Sequence, residues 1–142
     1  MLQKLFASLL MLFLSAAATA ATLKSDAEVR AFADKVMAQV GKGDLPGAFA
    51  SVKPYAVVPV AELQSLELQT KALRDQVGGR YGKPVGFEFI SLKKAGESVM
   101  QYIYIEKTEE HALPWRFIFY RSPSGWVLNS FSWNDNIKLL FD

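Results

Sequence analysis

The chain contains no cysteine and a single histidine. Without thiols it has no disulfide, no cysteine nucleophile, no zinc–thiolate site and no lipid-modified cysteine of the bacterial lipoprotein type. With one histidine it has no His-x-x-x-His or Glu-x-x-His pair, the spacings at which a helix presents metal ligands. Stability must therefore come from a hydrophobic core, and we predict that the protein uses no metal and no other cofactor.

The chain also has little net charge, because 16 Lys and Arg residues are nearly balanced by 14 Asp and Glu residues. The formal net charge is +2. This balance lacks the basic footprint of a nucleic-acid-binding protein, so we expect no nucleic-acid partner. The sequence also has no Gly-x-Ser-x-Gly elbow, phosphate loop or dinucleotide fingerprint. A Ser–His–Asp arrangement would depend on His111, which lies in a predicted turn where a solvated imidazole is ordinary.

One long apolar run is present, and it lies at the N-terminus. Lys4 precedes the apolar residues 5–14, and Ala18-Thr19-Ala20 supplies the small residues that a signal peptidase recognises. About 10 apolar residues are too few for a membrane span, which needs about 20. We therefore predict a signal peptide over residues 1–20, cleaved after Ala20, and a single domain over residues 21–142. The protein is expected to be exported, periplasmic or secreted, without stable membrane insertion after cleavage; the lack of disulfides favours a bacterial periplasm.

The first helix-patterned segment begins at a capping box, Ser25-Asp26-Ala27-Glu28. One apolar stripe at helical spacing follows the box and predicts an amphipathic helix. Gly41-Lys42-Gly43 is expected to end this helix. The stripe consists of Val29, Phe32, Ala33, Val36, Met37 and Val40.

Two further helices are predicted before the strands. A short one is capped by Asp44 and ended by Lys53-Pro54. A third begins near Pro59, which suits a first-turn position, and ends at Gly78-Gly79. Leu68 lies off its apolar stripe, which consists of Leu63, Leu66, Leu73 and Val77.

The second half of the chain holds most of the aromatic residues and predicts four strands, over residues 85–92, 98–107, 113–121 and 126–133. The connections between them are short, which favours antiparallel neighbours and a meander. The fold class we predict is α+β, with three N-terminal helices packed on a curved four-stranded antiparallel sheet, cone-like in shape.

Alternation divides the strand side chains between two faces of this sheet. The face predicted to pack on the helices is nearly all apolar: Val85, Phe87, Phe89, Val99, Ile103, Ile105, Trp115, Phe117, Phe119, Trp126 and Leu128. The opposite face is amphipathic and rich in aromatic residues: Glu88, Ile90, Met100, Tyr102, Tyr104, Arg116, Ile118, Tyr120, Val127, Asn129, Phe131 and Trp133.

Three local sequences resemble the nuclear-transport-factor-2-like superfamily, the α+β cone. Gly41-Lys42-Gly43-Asp44, followed by Leu45 and Ala48, resembles the turn between the first two helices. Tyr81-Gly82-Lys83-Pro84 resembles the entry into the sheet, and Gly125-Trp126-Val127-Leu128 resembles the sequence near the last strand. The likeness covers nearly all of residues 21–142 and is nearest to small exported bacterial members without an assigned function. It implies a pocket between helices and sheet, in a fold that serves isomerases, dehydratases, hydrolases, transport adaptors and dimers.

The aromatic residues of the second face suggest an exported, non-catalytic binding module. We predict a surface that binds a partner, most simply a second copy, because monomers rarely leave such a patch bare. The resemblance implies the same, since cone proteins often dimerise through the sheet. The C-terminal residues 134–142 are an alternative cover, and a small apolar ligand between helices and sheet is another occupant. The predicted surface consists of Tyr102, Tyr104, Ile118, Tyr120, Phe131 and Trp133.

The alternative function is a pocket enzyme of isomerase or hydrolase type. If the strand register is reversed, Glu88, Tyr102 and Arg116 line the pocket, and a carboxylate among aromatic walls can serve as a general base. In the register above, Glu88 and Arg116 instead form an exposed cross-strand pair of little energetic value. An interior filled by Phe87, Phe117 and Phe119 would argue against an enzyme.

Overall fold

Three helices precede a four-stranded antiparallel sheet in the computed structural model, which describes residues 19–142. The strands pair in the order β1-β2-β3-β4, so the predicted α+β class and meander are confirmed. Residues 1–18, and with them most of the predicted signal peptide, lie outside the described part. The elements are α1 (Asp26–Gly41), α2 (Leu45–Val52), α3 (Val60–Tyr81), β1 (Pro84–Ala95), β2 (Val99–Thr108), β3 (Ala112–Ser122) and β4 (Gly125–Trp133), with short 3-10 helices at Lys53–Tyr55 and Ile137–Leu140.

Helix α1 begins at the predicted cap and buries its predicted stripe. The Glu28 N–H donates to Ser25 Oγ at 3.1 Å, as a capping box requires. The Glu28 carboxylate accepts from the Lys24 N–H at 2.6 Å, one residue before the position expected for this motif. All six stripe residues are buried. Helix α1 therefore provides the inner wall against which the sheet packs.

Helix α3 is longer than the sequence predicted. It continues through Gly78-Gly79 to Tyr81, so the prediction that this glycine pair ends the helix is wrong. The residue that ends it is Gly82, which has φ +77° and donates its N–H to Gly78 O at 3.0 Å. Only a glycine adopts such a φ at little cost, whereas the preceding pair has no left-handed φ.

In strand β2, the side chains that face the helices are those predicted to lie on the opposite face of the sheet. Met100, Tyr102 and Tyr104 are buried on the helix side, while Ile103 and Ile105 are only half-buried. Both sets of β2 side chains are mostly apolar, so alternation alone carried little contrast between them. The larger aromatic rings occupy the gap between sheet and helices because they fill more volume there.

Strand β4 changes face through a bulge at Asn129. Phe119 pairs with Leu128 and Ile118 pairs with Ser130, which leaves Asn129 as the extra residue. A single inserted residue inverts every following side chain. Phe131 and Trp133 therefore lie on the helix side, and their predicted outward position is wrong.

The predictions for β3 and for the first part of β4 are confirmed. Trp115, Phe117 and Phe119 are fully buried, and Trp126 and Leu128 belong to the same core. The core is thus a layer of aromatic rings between the sheet and helices α1 and α2.

The outer edge of β4 is partly covered by the protein's own backbone. Leu23 and Trp126 exchange two backbone hydrogen bonds, at 2.9 and 2.8 Å. The Val57 N–H donates to Leu128 O at 3.0 Å. None of the helices within residues 19–142 combines the length and the apolarity of a membrane span.

Candidate functional site

The six residues of the predicted partner-binding surface do not lie on one surface. Tyr102 is 2% exposed, Tyr104 0% and Phe131 8%, all toward the helices. Trp133 is partly buried on the same side. Only Ile118 and Tyr120 keep the predicted outward position, and of these Tyr120 is exposed. Strict alternation predicted that these six residues share one face. In β2 the alternation holds, but the opposite set faces the helices. In β4 the bulge at Asn129 reverses the side on which Phe131 and Trp133 lie.

The residues of the alternative catalytic set are also separated. Glu88 and Arg116 are exposed on the outer face of the sheet, whereas Tyr102 is buried on the inner face. Glu88 pairs with Ile105 on β2, and Arg116 pairs with Ile103 of the same strand. Because β2 lies between β1 and β3, Glu88 and Arg116 are not cross-strand neighbours, and the predicted pair between them is wrong. Neither register of the sequence prediction brings the three side chains together.

Aromatic rings fill the space between the sheet and α1–α2. Phe117 and Phe119 are fully buried, with ring centroids 6.2 Å apart and stacked. Phe87 is half-buried and packs against this layer. Phe131 contacts Phe49 of α2 at 5.3 Å between ring centroids. This part of the interior is therefore filled with packed aromatic side chains.

A hydrogen-bonded group links α1 to β2 at the rim of the core. Tyr104 Oη donates to Asp34 Oδ1 at 2.7 Å. Arg30 Nε donates to the same carboxylate at 2.9 Å, and its guanidinium lies 3.8 Å from the centroid of the Phe89 ring. Burial, and then the bond to Asp34, raise the pKa of Tyr104 far above the ordinary tyrosine value. The hydrogen bond between Tyr104 and Asp34 thus holds α1 on the sheet, and Arg30 orients the carboxylate from within α1.

A second polar group joins α3 to the sheet and was missed by the sequence prediction. Glu106 is 1% exposed and accepts from Arg74 Nη1 at 3.0 Å, from Arg74 Nη2 at 2.6 Å and from Trp115 Nε1 at 3.0 Å. Three donors on one carboxylate make it a structural acceptor instead of a free base. The sequence contained one hint, since Glu106 is the charged member of the alternating set that holds Tyr102 and Tyr104.

Trp133 completes this junction. Its Nε1 donates to Thr70 Oγ1 at 2.9 Å, and the Arg74 guanidinium lies 4.3 Å from the centroid of its ring. Thr70 is 1% exposed. Polar contacts therefore hold the middle of α3 to the sheet.

An open groove follows α3 along the end of β4. Its first part has a volume of about 370 Å³ and a lining that is mostly apolar. A second part of about 410 Å³ shares Leu66 and Gln69 with the first, so the two are continuous. We call this the α3–β4 groove, lined by Val58, Glu62, Leu63, Ser65, Leu66, Gln69, Thr70, Leu73, Val77, Tyr81, Phe131, Trp133, Asn134 and Asp135.

The wall that α3 contributes is the helix's own apolar stripe. Leu66, Leu73 and Val77 belong to the apolar stripe predicted for this helix; they line the groove, and Leu73 is 48% exposed. Leu63 alone of the four is buried. A helix that keeps its apolar stripe in contact with solvent lacks the partner that such a stripe ordinarily packs on. The groove is therefore the open part of the helix–sheet interface.

The outer face of the sheet is partly covered by the C-terminal residues. Leu139 and Leu140 line clefts together with Ile103 and Arg116, and Lys93 Nζ donates to Asp142 O at 3.4 Å. The alternative that residues 134–142 fold over this face is thus confirmed in part. Tyr120, Ile90 and Phe141 stay exposed.

Within residues 19–142, no cluster of three His, Asp or Glu side chains is arranged to hold a metal ion. His111, expected to be solvated, is half-buried; its ring lies 4.8 Å from that of Tyr81, and its Nε2 lies 3.1 Å from Asp135 O. No protein-family model matches the chain, and no curated protein or solved structure matches it significantly.

Proposed function

We propose that this protein is an exported, non-catalytic binding module that holds an apolar ligand between its helices and its sheet, in the α3–β4 groove. The observation that carries the proposal is the half-exposed apolar stripe of α3 opposite Trp133. The first part of the groove, at about 370 Å³, falls in the size range of small-ligand sites, which begins near 300 Å³.

The state of Glu106, Asp34 and Glu88 supports binding over catalysis. Glu106 accepts three hydrogen bonds, and Asp34 accepts from both Tyr104 and Arg30. A general base must be free to take a proton from a substrate. Glu88, the base of the alternative hypothesis, is exposed on the outer face and away from the groove. The isomerase or hydrolase function is therefore the weaker proposal.

The fold is compatible with the cone proposal made from the sequence. Three helices precede the antiparallel sheet, and Gly82 and Gly125 both adopt a positive φ within the sequences that carry the resemblance. We propose that the chain is a divergent member of the nuclear-transport-factor-2-like group. A solved structure of a relative that shares the curved sheet would test this assignment.

Binding of a neutral apolar dye tests the ligand proposal. Nile red fluorescence should rise on addition of the protein and saturate. Leu73→Glu places a carboxylate in the groove and should weaken dye binding by about tenfold or more. Leu68→Glu is the matched control, because Leu68 lies on the same helix, is 68% exposed and does not line the groove. Equal loss in both variants, or no dye binding at all, would contradict the proposal.

Self-association through the outer face is a second candidate. The exposed Tyr120 and Ile90 of the sheet and Phe141 of the C-terminal residues favour it, because each leaves apolar area uncovered. Sedimentation of the purified protein should then show a dimer that Tyr120→Glu disperses. The predicted role of Tyr104 in this surface cannot be probed in the same way, since Tyr104→Glu would disrupt the core. A monomer at all concentrations would rule out the dimer.

A further inference from the structure

The exposed backbone of β4 continues into the α3–β4 groove. Asn134 donates its N–H to Pro114 O at 3.0 Å, which fixes the direction of the alternating backbone groups. Ser132 and Ser130 therefore point their N–H and C=O groups toward β3, whereas Phe131 and Trp133 point theirs away from it. Within residues 19–142 no strand pairs with this side of β4 beyond Leu128. The groove thus contains unpaired strand edge as well as apolar side chains.

The same edge already accepts added segments in its first half. Leu23 pairs there in antiparallel fashion with Trp126, and Ala56 pairs in parallel fashion with Leu128. Both segments are short stretches of the protein's own chain that lie outside its four strands. The edge of β4 from Phe131 to Trp133 is the direct continuation of this interface. An exposed edge with this geometry is a template for an additional strand.

The helix wall is as long as a short extended peptide, and the edge from Phe131 to Trp133 would pair with about three of its residues. From Leu66 to Tyr81 the α3 wall extends about 22 Å at 1.5 Å per residue. An extended peptide covers that distance with about seven residues, at about 3.3 Å each. Alternate side chains of such a peptide would lie against Leu66, Leu73 and Val77, and the others would face solvent.

The charges of the groove define the ends of the peptide. Glu62 and Asp135 are the charged residues among those that line it, and both are acidic. Glu62 lies one helical turn before Leu66, and Asp135, which accepts from Tyr81 Oη at 3.2 Å, lies beside the other end, so one carboxylate lies just beyond each end of this stretch. A peptide with basic residues that flank an apolar, alternating centre is complementary to this distribution.

We infer that the α3–β4 groove binds an extended peptide segment of a partner protein, which adds as a strand to β4 at Phe131–Trp133 and carries basic residues on either side of alternating apolar ones. This inference rests on the proposed binding function and names the class of its ligand. Main-chain hydrogen bonds to β4 supply affinity, and the α3 stripe selects apolar side chains at every second position.

A synthetic peptide tests the inference. The probe has seven residues, with lysine at both ends, valine at the second, fourth and sixth positions and serine between them, and it carries a fluorescent label. Its anisotropy should rise and saturate with the purified protein and with Leu68→Glu. With Leu73→Glu, the dissociation constant should increase about tenfold or more. Amide hydrogen exchange of Phe131 and Trp133 should slow in the complex, because their N–H groups become paired.

Methylation of the backbone separates strand addition from apolar binding. A peptide with the same side chains and N-methyl groups on its serines loses the donors on one edge, and one methylated on its valines loses those on the other. One of the two should bind about tenfold more weakly than the parent, and the other should bind as the parent does. Equal binding of all three peptides would overturn strand addition.

The remaining outcomes distinguish this inference from the proposed function. If no peptide binds while Nile red binding depends on Leu73, the groove takes a small apolar ligand, and the peptide inference is wrong. If neither binds, both proposals fail. A dimer that Leu73→Glu disperses, in the absence of peptide binding, would identify the occupant as a second copy of the chain and would also overturn the partner peptide.

Discussion

Arg74 of α3 and Glu106 of β2 are joined by two hydrogen bonds, at 3.0 and 2.6 Å, although 32 residues separate them in the sequence. The carboxylate is 1% exposed and the arginine side chain 15%. Leu63 and Tyr81 are the apolar residues of α3 that are buried. The ion pair therefore anchors a long helix that has little hydrophobic contact with the sheet, and this anchoring leaves the groove beside it open.

Loss of the Glu106 charge should destabilise the fold. Glu106→Gln leaves the Arg74 guanidinium in a largely buried position without its counter-ion, and we expect the free energy of unfolding to fall by about 3 kcal/mol. Urea unfolding followed by circular dichroism measures this change. The double variant Arg74→Met with Glu106→Gln should lose less, because it removes both charges and keeps an acceptor for Trp115 Nε1.

An exposed ion pair provides the control for this prediction. Lys94 and Asp26 lie 2.9 Å apart, and both side chains are more than half exposed. Lys94→Met should change the free energy of unfolding by no more than about 0.5 kcal/mol. A loss as large as that of Glu106→Gln would contradict the anchoring role of the buried pair.

Stability should decrease in alkaline solution because of Tyr104. Burial and the Asp34 bond raise the pKa of Tyr104, and burial raises that of Tyr102, whereas an unfolded tyrosine ionises near pH 10. Above about pH 10 the unfolded chain releases these protons and the folded protein keeps them, so the free energy of unfolding falls as the pH rises. Below that pH the contribution is fully present. Urea unfolding at a series of alkaline pH values measures the slope.

The variant Tyr104→Phe separates the two contributions of this hydroxyl. Near neutral pH it should cost about 2 kcal/mol, because the lost hydrogen bond is made to a charged carboxylate. Above about pH 10 the free energy of unfolding of this variant should fall less steeply than that of the native protein. The reason is that the variant lacks the Tyr104 hydroxyl proton, which the native protein keeps when folded and releases when unfolded. Asp34→Asn should give an intermediate slope, because burial remains the larger cause. A slope unchanged in Tyr104→Phe would show that other groups cause the alkaline loss.

Two glycines should respond to alanine in opposite ways. At Gly41, a Cβ would lie 2.7 Å from the carbonyl carbon of Gly86, so Gly41→Ala must push α1 away from β1 and destabilise the fold by several kcal/mol, on the order of an overpacked core. At Gly79 a Cβ meets nothing within 4 Å. Gly79→Ala should raise the free energy of unfolding by about 1 kcal/mol, because alanine favours the helix.

Thermal unfolding of both variants checks this pair. Gly79→Ala should melt above the native protein, and Gly41→Ala well below it. If Gly79→Ala is destabilising, the helix does not continue through the glycine pair in solution, and α3 ends where the sequence predicted.

The helices and strands could be predicted from the sequence because local patterns specify them. Ser25 and Asp44 cap α1 and α2 in the predicted positions, and the α1 stripe is buried as its spacing required. The end of α3 was missed, because nothing local tells Gly78-Gly79 from Gly82 as the stopping point. That choice depends on Tyr81, which is 4% exposed and packs against His111 thirty residues further along the chain.

The faces of the sheet could be predicted for only part of it. In β3 one alternating set of side chains is plainly larger and more apolar, and it faces the helices, as predicted. In β2 both sets are mostly apolar, and the hydrogen bond from Tyr104 to Asp34 and the anchor of Glu106 on Arg74 decide the side. In β4 the bulge at Asn129 depends on the pairing with β3, so no local pattern reveals it.

The sequence by itself determined that the chain lacks thiol chemistry and paired histidine ligands, and that an α+β fold with a core of aromatic residues would form. Local spacing and capping suffice for these conclusions, since they involve neighbours within a few residues. Only the tertiary structure decided that Tyr102, Tyr104, Phe131 and Trp133 face the helices and that Leu66, Leu73 and Val77 line an open groove. These outcomes depend on pairs such as Arg74 with Glu106, which are distant in the chain and become neighbours only when the sheet and α3 pack together.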